Sequence, residues 1–468
     1  MSLSAPLSAP RSAPHPADAR PASPDDAGDA GIGATGAALR ILTAGSVDDG
    51  KSTLIGRLLF DSRAILADQI EALERRETGR ARADGGPTFD LSLLTDGLEA
   101  EREQGITIDV AYRYFATPTR KFIIADAPGH EQYTRNMVTA AAGSDAAVVL
   151  VDLTKIDWAA PTVTLLPQTR RHALLAQLLR VPSIVFAINK LDAVAEPQRA
   201  YEAVAAALAA FAREAGFEPA GIVPVSALRG DNVTRPLQAA WYRGPSLLAL
   251  LESLPTTDHD TTPDSPLMLP VQYVAREGGG VGEQPRTFWG RIAQGEVHPG
   301  DEVQVSSSGE RARVVAIRRA GRGVPSAHTG QSAGLVLDRQ LDVSRGDWIG
   351  APGALALRPS FTATLAWLDT EPAVVGRKYW LRHGNRWVHG RLAAIDERLD
   401  IHTLVPESAD RLAVNDIGRV RFELQQPLPL APYAANRVAG ALIVVDPASH
   451  RTSGALLVAA EPAAYAFA

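Results

Sequence analysis

The stretch Gly45-Ser-Val-Asp-Asp-Gly-Lys-Ser52 constrains the fold of this chain more than any other. The apolar run 39–44 precedes it and predicts a β-strand, and residues 53–59 follow it and predict a helix. A glycine-rich loop between a strand and a helix N-terminus points successive backbone N–H groups at phosphate oxygens. Lys51 is then placed to reach the β- and γ-phosphates, and the Ser52 hydroxyl to hold Mg²⁺. The pattern predicts a nucleoside triphosphate site in an α/β domain.

Further motifs follow predicted strands in the order that a GTPase requires. Asp126-Ala-Pro-Gly-His130 comes after an apolar strand, so its carboxylate can hold Mg²⁺ through a water and the Gly129 N–H can bond the γ-phosphate. Between this motif and the phosphate loop lies Gly105-Ile-Thr107, where Thr107 can complete the Mg²⁺ shell when a γ-phosphate is present.

Two later motifs select the base. In Asn189-Lys-Leu-Asp192 the carboxylate can accept two N–H groups from guanine, which adenine does not offer. In Ser226-Ala-Leu228 a backbone N–H can meet the guanine O6. Seen alone, Asn-Lys-x-Asp is a polar turn after a strand; with five motifs in order, the sequence predicts a GTPase.

The chain resembles the translation-factor class of GTPases and, within it, the large GTP-hydrolysing subunits of bacterial sulfate adenylyltransferases. Residues 45–59, 101–115 and 126–137 carry this resemblance, and residues 168–172 and 230–233, with Trp241-Tyr242 beyond them, also fit. Elongation factors share the general frame but typically differ at the two residues before Gly50 and after His130. The resemblance covers residues 38–457, nearly all of the chain outside the N-terminal tail.

The site residues expected from the motifs and the resemblance fall into three groups. His130, directly after Gly129, is expected to position the attacking water, and Lys51 is the second catalytic residue; the alternative for His130 is a cap on a helix over residues 131–142. Ser52, Thr107 and Asp126 (through a water) are the expected metal ligands. The expected GTP-binding residues are Gly45, Ser46, Val47, Asp48, Asp49, Gly50, Lys51, Ser52, Thr53, Asp126, Ala127, Pro128, Gly129, His130, Asn189, Lys190, Leu191, Asp192, Ser226, Ala227 and Leu228.

Three features leave alternatives open. Asp48 stands where some relatives of the class coordinate a monovalent cation beside the phosphates, or it is a solvated loop residue. Arg135, Arg170 and Arg171 either touch a partner or the switch regions, or are helix-surface charges. Residues 153–167 form a longer connection than the resemblance requires, an extended loop that either contacts a partner subunit or is tolerated variation.

The sequence predicts an α/β P-loop GTPase domain followed by two all-β barrel domains. Strands alternate with helical stretches up to residue 254, including a helix over residues 199–215. Beyond it, short period-two segments such as 286–292, 311–317, 361–367 and 418–424 indicate barrels. The expected divisions are a disordered Ala/Pro-rich tail over 1–37, the GTP-binding domain over 38–254, a linker over 255–266 and β-barrel domains over 267–352 and 353–468.

Composition limits the class of protein and the compartment. The chain has 468 residues, a net charge of −6 and no cysteine, which excludes disulfides and thiolate metal sites. The acidic balance argues against a broad nucleic-acid footprint, and no apolar run approaches the span of a bilayer. The expectation is therefore a cytoplasmic protein without membrane or nucleic-acid partners.

The resemblance implies an activity that needs a second chain. A smaller subunit would make adenosine 5′-phosphosulfate and pyrophosphate from ATP and sulfate, and this chain would hydrolyse GTP to pull that reaction forward, in a heterodimer or a higher-order assembly. GTP and Mg²⁺ are the implied cofactors. No second phosphate-loop pattern occurs, so an adenylylsulfate kinase activity is not expected. The alternatives are an elongation-factor-like GTPase that acts with tRNA or the ribosome, and a stand-alone regulatory GTPase.

Overall fold

The structure, a computed structural model, describes residues 38–65, 91, 110–127, 134–256, 265–276, 285–400 and 405–460. In these residues the helices are α1 (Lys51–Asp61), α2 (Thr134–Ala142), α3 (Pro167–Leu178), α4 (Pro197–Glu214) and α5 (Leu247–Ser253). The strands of the first part of the chain are β1 (Leu39–Ala44), β2 (Ala111–Ala116), β3 (Lys121–Asp126), β4 (Ala146–Asp152), β5 (Ser183–Asn189) and β6 (Gly221–Pro224).

These six strands form one sheet in the order β2-β3-β1-β4-β5-β6, in which β2 is antiparallel to β3 and the others are parallel. Strands β4 and β5 are buried along their whole length. Such continuous apolar runs are typical of a parallel sheet covered on both faces. The carboxyl ends of β1, β3, β4 and β5 meet at one edge, and the polar motifs that follow these strands are collected there.

Helix α4 shows how the apolar pattern of the sequence produces the packing. Pro197 occupies its first turn, where a missing N–H costs nothing, and Ala200, Val204, Leu208 and Phe211 lie buried on one face. The helix predicted over residues 199–215 is therefore present, with ends displaced by at most two residues.

The next strands form an antiparallel barrel after the parallel sheet. Eight of them join in the order β7-β16-β11-β12-β15-β9-β8, with β13 beside β12, while β10 pairs with β14. Their inward side chains form one apolar cluster that includes Phe288, Val314 and Leu335. The strands are β7 (Met268–Pro270), β8 (Tyr273–Arg276), β9 (Arg286–Arg291), β10 (Glu296–Val297), β11 (Glu302–Val305), β12 (Arg311–Arg319), β13 (Arg322–Val324), β14 (Ala327–His328), β15 (Ser332–Leu337) and β16 (Trp348–Gly350).

A second antiparallel barrel follows. The order β19-β24-β25-β17-β23-β20, with a further pairing of β20 to β19, closes the sheet into a ring around Trp367, Tyr379 and Phe422. Closure of this kind removes free strand edges. The strands are β17 (Leu357–Trp367), β18 (Ala373–Val374), β19 (Lys378–His383), β20 (Arg386–Leu399), β21 (Pro406–Glu407), β22 (Arg411–Leu412), β23 (Ile417–Pro429), β24 (Ala441–Val445) and β25 (Thr452–Val458).

Specific contacts connect the three parts. The Tyr433 hydroxyl of the second barrel donates to the Leu179 carbonyl at the end of α3, at 2.8 Å. The rings of Trp348 and His383 stack at 5.1 Å between the two barrels.

The predicted fold class, a P-loop domain followed by two barrels, is confirmed. No helix in the described part of the chain combines the length and apolarity needed to cross a membrane.

Candidate functional site

The phosphate loop connects β1 to α1 in a conformation that requires glycine. Gly50 has a φ of 91°, and a Cβ there would lie 2.5 Å from the Asn189 amide nitrogen. Both the left-handed backbone and the close approach therefore exclude a side chain. At this point the loop contacts Asn189 of the segment Asn189–Asp192, called the base motif here. The phosphate loop and the base motif are therefore in direct contact although the bonded residues lie 140 positions apart.

Lys51 lies inside the phosphate loop. Its Nζ donates to the carbonyls of Gly45 and Ser46, both at 2.9 Å. Burial lowers the pKa of the Lys51 ammonium below its ordinary value, and the Asp126 and Asp49 carboxylates oppose this shift without cancelling it. Phosphate oxygens would favour the charged ammonium again, so the residues present fit a bound triphosphate.

The predicted metal ligands Ser52 and Asp126 belong to neighbouring elements. Ser52 is in the first turn of α1, and Asp126 ends β3, where it pairs in register with Thr43 of β1. The Thr43 hydroxyl is 3.2 Å from one Asp126 carboxylate oxygen and orients it at the edge of the sheet. A hydroxyl and a carboxylate are oxygen ligands of the kind that Mg²⁺ takes.

Several predicted residues lie outside the described part of the chain: Thr107, Pro128, Gly129 and His130. Their roles, including that of His130 as the residue that positions the attacking water, stay predictions. The side chain of Arg135 is likewise outside the description.

The base motif is held by bonds to other motifs. The Asn189 amide donates to the Asp49 carbonyl at 2.8 Å, and its oxygen accepts from the Ala227 N–H at 2.9 Å. Asn189 therefore ties the phosphate loop to the Ser226–Leu228 turn. The Ser226 hydroxyl is 2.5 Å from one Asp192 carboxylate oxygen, which fixes the orientation of the carboxylate expected to bind guanine.

Lys190 and Asp152 form a second link at this edge. Lys190 has a φ of 64°, and its Nζ lies 2.7 Å from Asp152 Oδ2. Burial pushes the pKa of Asp152 upward, but hydrogen bonds from Lys190 and Thr154 outweigh it and leave that pKa below its ordinary value. Asp152 is therefore an anion held between the end of β4 and the base motif.

The 153–167 connection begins at this anion. A short 3₁₀ turn covers Leu153–Lys155, and α3 begins at Pro167. Lys155 Nζ donates to Asp49 Oδ1 at 2.9 Å and to the Val47 carbonyl. Trp158 packs against the apolar cluster of the parallel sheet, so the connection is anchored at its start.

Helix α3 carries the arginines whose role the sequence left open. The Arg170 guanidinium lies 4.7 Å from the Phe211 ring centroid and 4.0 Å from Glu214, which places it between two helices. His172 is buried, and burial lowers its pKa to about 3.

Asp48 has a φ of 63° and is exposed, a position that fits both alternatives given for it.

Three residues of the site, Arg57, Thr43 and Lys155, had no role assigned from sequence patterns. Arg57 is buried on α1 and donates to the Ala227 and Leu228 carbonyls at 3.3 and 2.5 Å, so it holds the base-side turn. A charged residue on the apolar face of a helix, between Leu54 and Leu58, is the signal that points to such a role.

Family models and curated relatives match most of the chain. The elongation factor Tu GTP binding domain matches residues 37–257, and the GTP-eEF1A C-terminal domain-like family matches residues 360–459. Sulfate adenylyltransferase subunit 1 of Laribacter hongkongensis (strain HLHK9) is 45% identical over 91% of this chain and 86% of its own length. The protein of the same name from Shewanella woodyi (strain ATCC 51908 / MS32) is 42% identical over 90% and 86%.

A longer relative is similar over the same region. The bifunctional enzyme CysN/CysC of Xylella fastidiosa (strain Temecula1 / ATCC 700964) is 44% identical over 89% of this chain but only 65% of its own length. The chain therefore spans about two thirds of that relative.

Proposed function

Because the chain belongs to the family of sulfate adenylyltransferase subunit 1, we propose that it is the GTP-hydrolysing subunit of a sulfate adenylyltransferase. The observation that carries this conclusion is the 45% identity over 91% of the chain to a relative of that name. The site geometry is consistent with it, since the phosphate loop, Asp126, Asn189 and Asp192 meet at one edge of the sheet.

Each residue of the site has a definite task in GTP hydrolysis. Lys51 neutralises charge on the β- and γ-phosphates, and the loop N–H groups hold these phosphates in place. Asp192 binds the N–H groups of guanine, and Asn189 keeps the base side and the phosphate side at a fixed distance. Ser52 and Thr107 would hold Mg²⁺ directly and Asp126 would hold it through a water, and the ion would offset the charge that spreads over the γ-phosphoryl group. His130 would position the attacking water.

The proposed partner is a smaller subunit that transfers the adenylyl group of ATP to sulfate and releases pyrophosphate. The phosphosulfate anhydride is high in energy, so its formation from ATP is strongly uphill and needs a second, downhill reaction. GTP hydrolysis on this chain would be that reaction, provided that the switch segments around Thr107 and His130 change the partner's site.

The domain limits, a monovalent cation near Asp48 and a cytoplasmic location stay predictions.

The test is co-expression of the full chain with a small sulfate adenylyltransferase subunit from the same genome. Pyrophosphate release from ATP and sulfate is measured with and without GTP, and again with His130→Ala. We expect GTP to raise the product yield and the variant to lose that gain. If no subunit binds and GTP turnover responds to ribosomes but ignores ATP and sulfate, the chain is a translation GTPase and the proposal is wrong.

A further inference from the structure

Asp49 is a buried anion in the middle of the phosphate loop. Its side chain is 0% exposed. One oxygen accepts the Ser46 N–H at 2.6 Å, which turns that N–H toward the protein, and the other accepts from Lys155 Nζ at 2.9 Å. A buried carboxylate is costly unless a cation and hydrogen bonds satisfy it. Among the described residues, Lys155 is the cation in hydrogen-bond contact with it, because Lys51 Nζ is bonded to loop carbonyls instead.

Lys155 holds the loop at a second point. The same ammonium donates to the Val47 carbonyl, so it contacts the residues on both sides of Asp48. Asp48 has a φ of 63°, a left-handed conformation that non-glycine residues adopt at a cost. One ammonium therefore fixes the strained middle of the loop from both flanks, where backbone N–H groups are needed for the phosphates.

The position of Lys155 is itself fixed by other parts of the site. It follows β4 within the 3₁₀ turn that Asp152 caps through the Thr154 N–H and hydroxyl. Asp152 Oδ2 lies 3.8 Å from Lys155 Nζ and 2.7 Å from Lys190 Nζ. The ammonium therefore lies where the phosphate loop, the end of β4 and the base motif come together.

We propose that Lys155 is a positioning residue for GTP, which holds the phosphate loop in its binding conformation through Asp49 and the Val47 carbonyl. It touches the loop and acts through it. Lys155 lies near the start of the 153–167 connection, so through this side chain the connection contacts the loop that binds the phosphates.

The first test is Lys155→Met in the full chain, by steady-state GTP hydrolysis and by titration with a fluorescent GTP analogue. We expect KM and the dissociation constant to rise about tenfold or more, and kcat at saturating GTP to stay within about threefold of wild type. Lys155→Arg, which keeps a cationic donor, should recover most of the affinity. Lys378→Ala, an exposed lysine of the second barrel, is the matched control and should change neither constant.

A second variant separates positioning from stability. Lys155→Met alone leaves Asp49 buried without its cation, so it will also lower the melting temperature and is at risk of not folding. Asp49→Asn combined with Lys155→Met removes both charges and should recover the melting temperature, yet GTP affinity should stay at least about fivefold weaker because the contact to Val47 is lost. If this double variant binds GTP like wild type, or if folded Lys155→Met does so, the proposal is wrong.

Discussion

Charged side chains serve different purposes at the nucleotide edge of the parallel sheet and on the two barrels. At the edge, the Asp49 and Asp152 side chains are 0% exposed and each meets a lysine. On the second barrel, Arg391 and Glu423 pair at 2.6 Å with side chains that are 46% and 53% exposed. Water solvates the two charges of the exposed pair whether or not they are in contact. A buried pair must keep its geometry, because a carboxylate that loses its lysine stays buried without a partner. The difference indicates where substitutions will be costly.

The largest effect is expected for Lys51→Ala, which removes the buried cation of the phosphate loop. Loss of an electrostatic group at a developing charge typically lowers kcat/KM about 10²- to 10³-fold, and we expect a loss of at least that size here. GTP hydrolysis by the purified chain measures it. A Lys51→Ala chain with more than about a tenth of wild-type kcat/KM would contradict the role given to this lysine.

The next effect is expected for Asn189→Ala, which breaks the bonds to the Asp49 carbonyl and the Ala227 N–H. Two buried backbone groups then lose their partner, so we expect a loss of about 2–4 kcal/mol in the free energy of unfolding. Chemical denaturation followed by circular dichroism gives this value. The barrel counterpart is Asn385→Ala, whose side chain bonds the exposed Arg345 and which should cost less than about 0.5 kcal/mol. Equal losses in the two variants would remove the contrast between the regions.

Two buried histidines test the comparison by pH. Burial lowers the pKa of His172, in the GTP-binding domain, to about 3 and that of His383, between the barrels, to about 4. Both are neutral in the folded chain and gain a proton when unfolded below about pH 6.5, so stability falls as the pH drops from there toward the folded values.

At pH 5 this loss is about 2 kcal/mol for each histidine. His172→Gln and His383→Gln should each flatten the dependence of the melting temperature on pH between 7 and 5. A variant with the wild-type slope would show that its histidine is not held neutral in the fold.

The smallest effect is expected for Arg391→Ala on the outside of the second barrel. Its ion pair with Glu423 lies in solvent, so removal should cost less than about 1 kcal/mol and the cost should shrink with added salt. Thermal melts at low and high salt measure both quantities. A loss as large as that of Asn189→Ala would show that the barrel surface is more constrained than the exposure of this pair indicates.

The sequence predicted those parts of the molecule that depend on local pattern. The strand, the glycine loop and the helix around Lys51 could be predicted because their order is local, and α4 could be predicted from its apolar face. Since parallel strands deliver their carboxyl ends to one edge, the meeting of Asp126, Asn189 and Ser226 was also predictable.

The hydrogen bonds between distant motifs could not be predicted in the same way. Arg57 meets Ala227 across 170 residues, and Lys155 meets Asp49 across 106 residues. An arginine on α1 and a lysine after β4 are common residue types, and only the packing of the sheet decides which backbone or carboxylate each one reaches. Sequence pattern therefore specified the ligand-facing residues better than the residues that support them.

Helix α3 has a mechanical consequence. It begins at Pro167, where the long connection from Lys155 ends, and the carbonyl just beyond its last turn accepts the Tyr433 hydroxyl of the second barrel. Its 12 residues make a stiff rod of about 18 Å. A tilt of this rod would therefore move both the end of the long connection and the hydrogen bond to the second barrel.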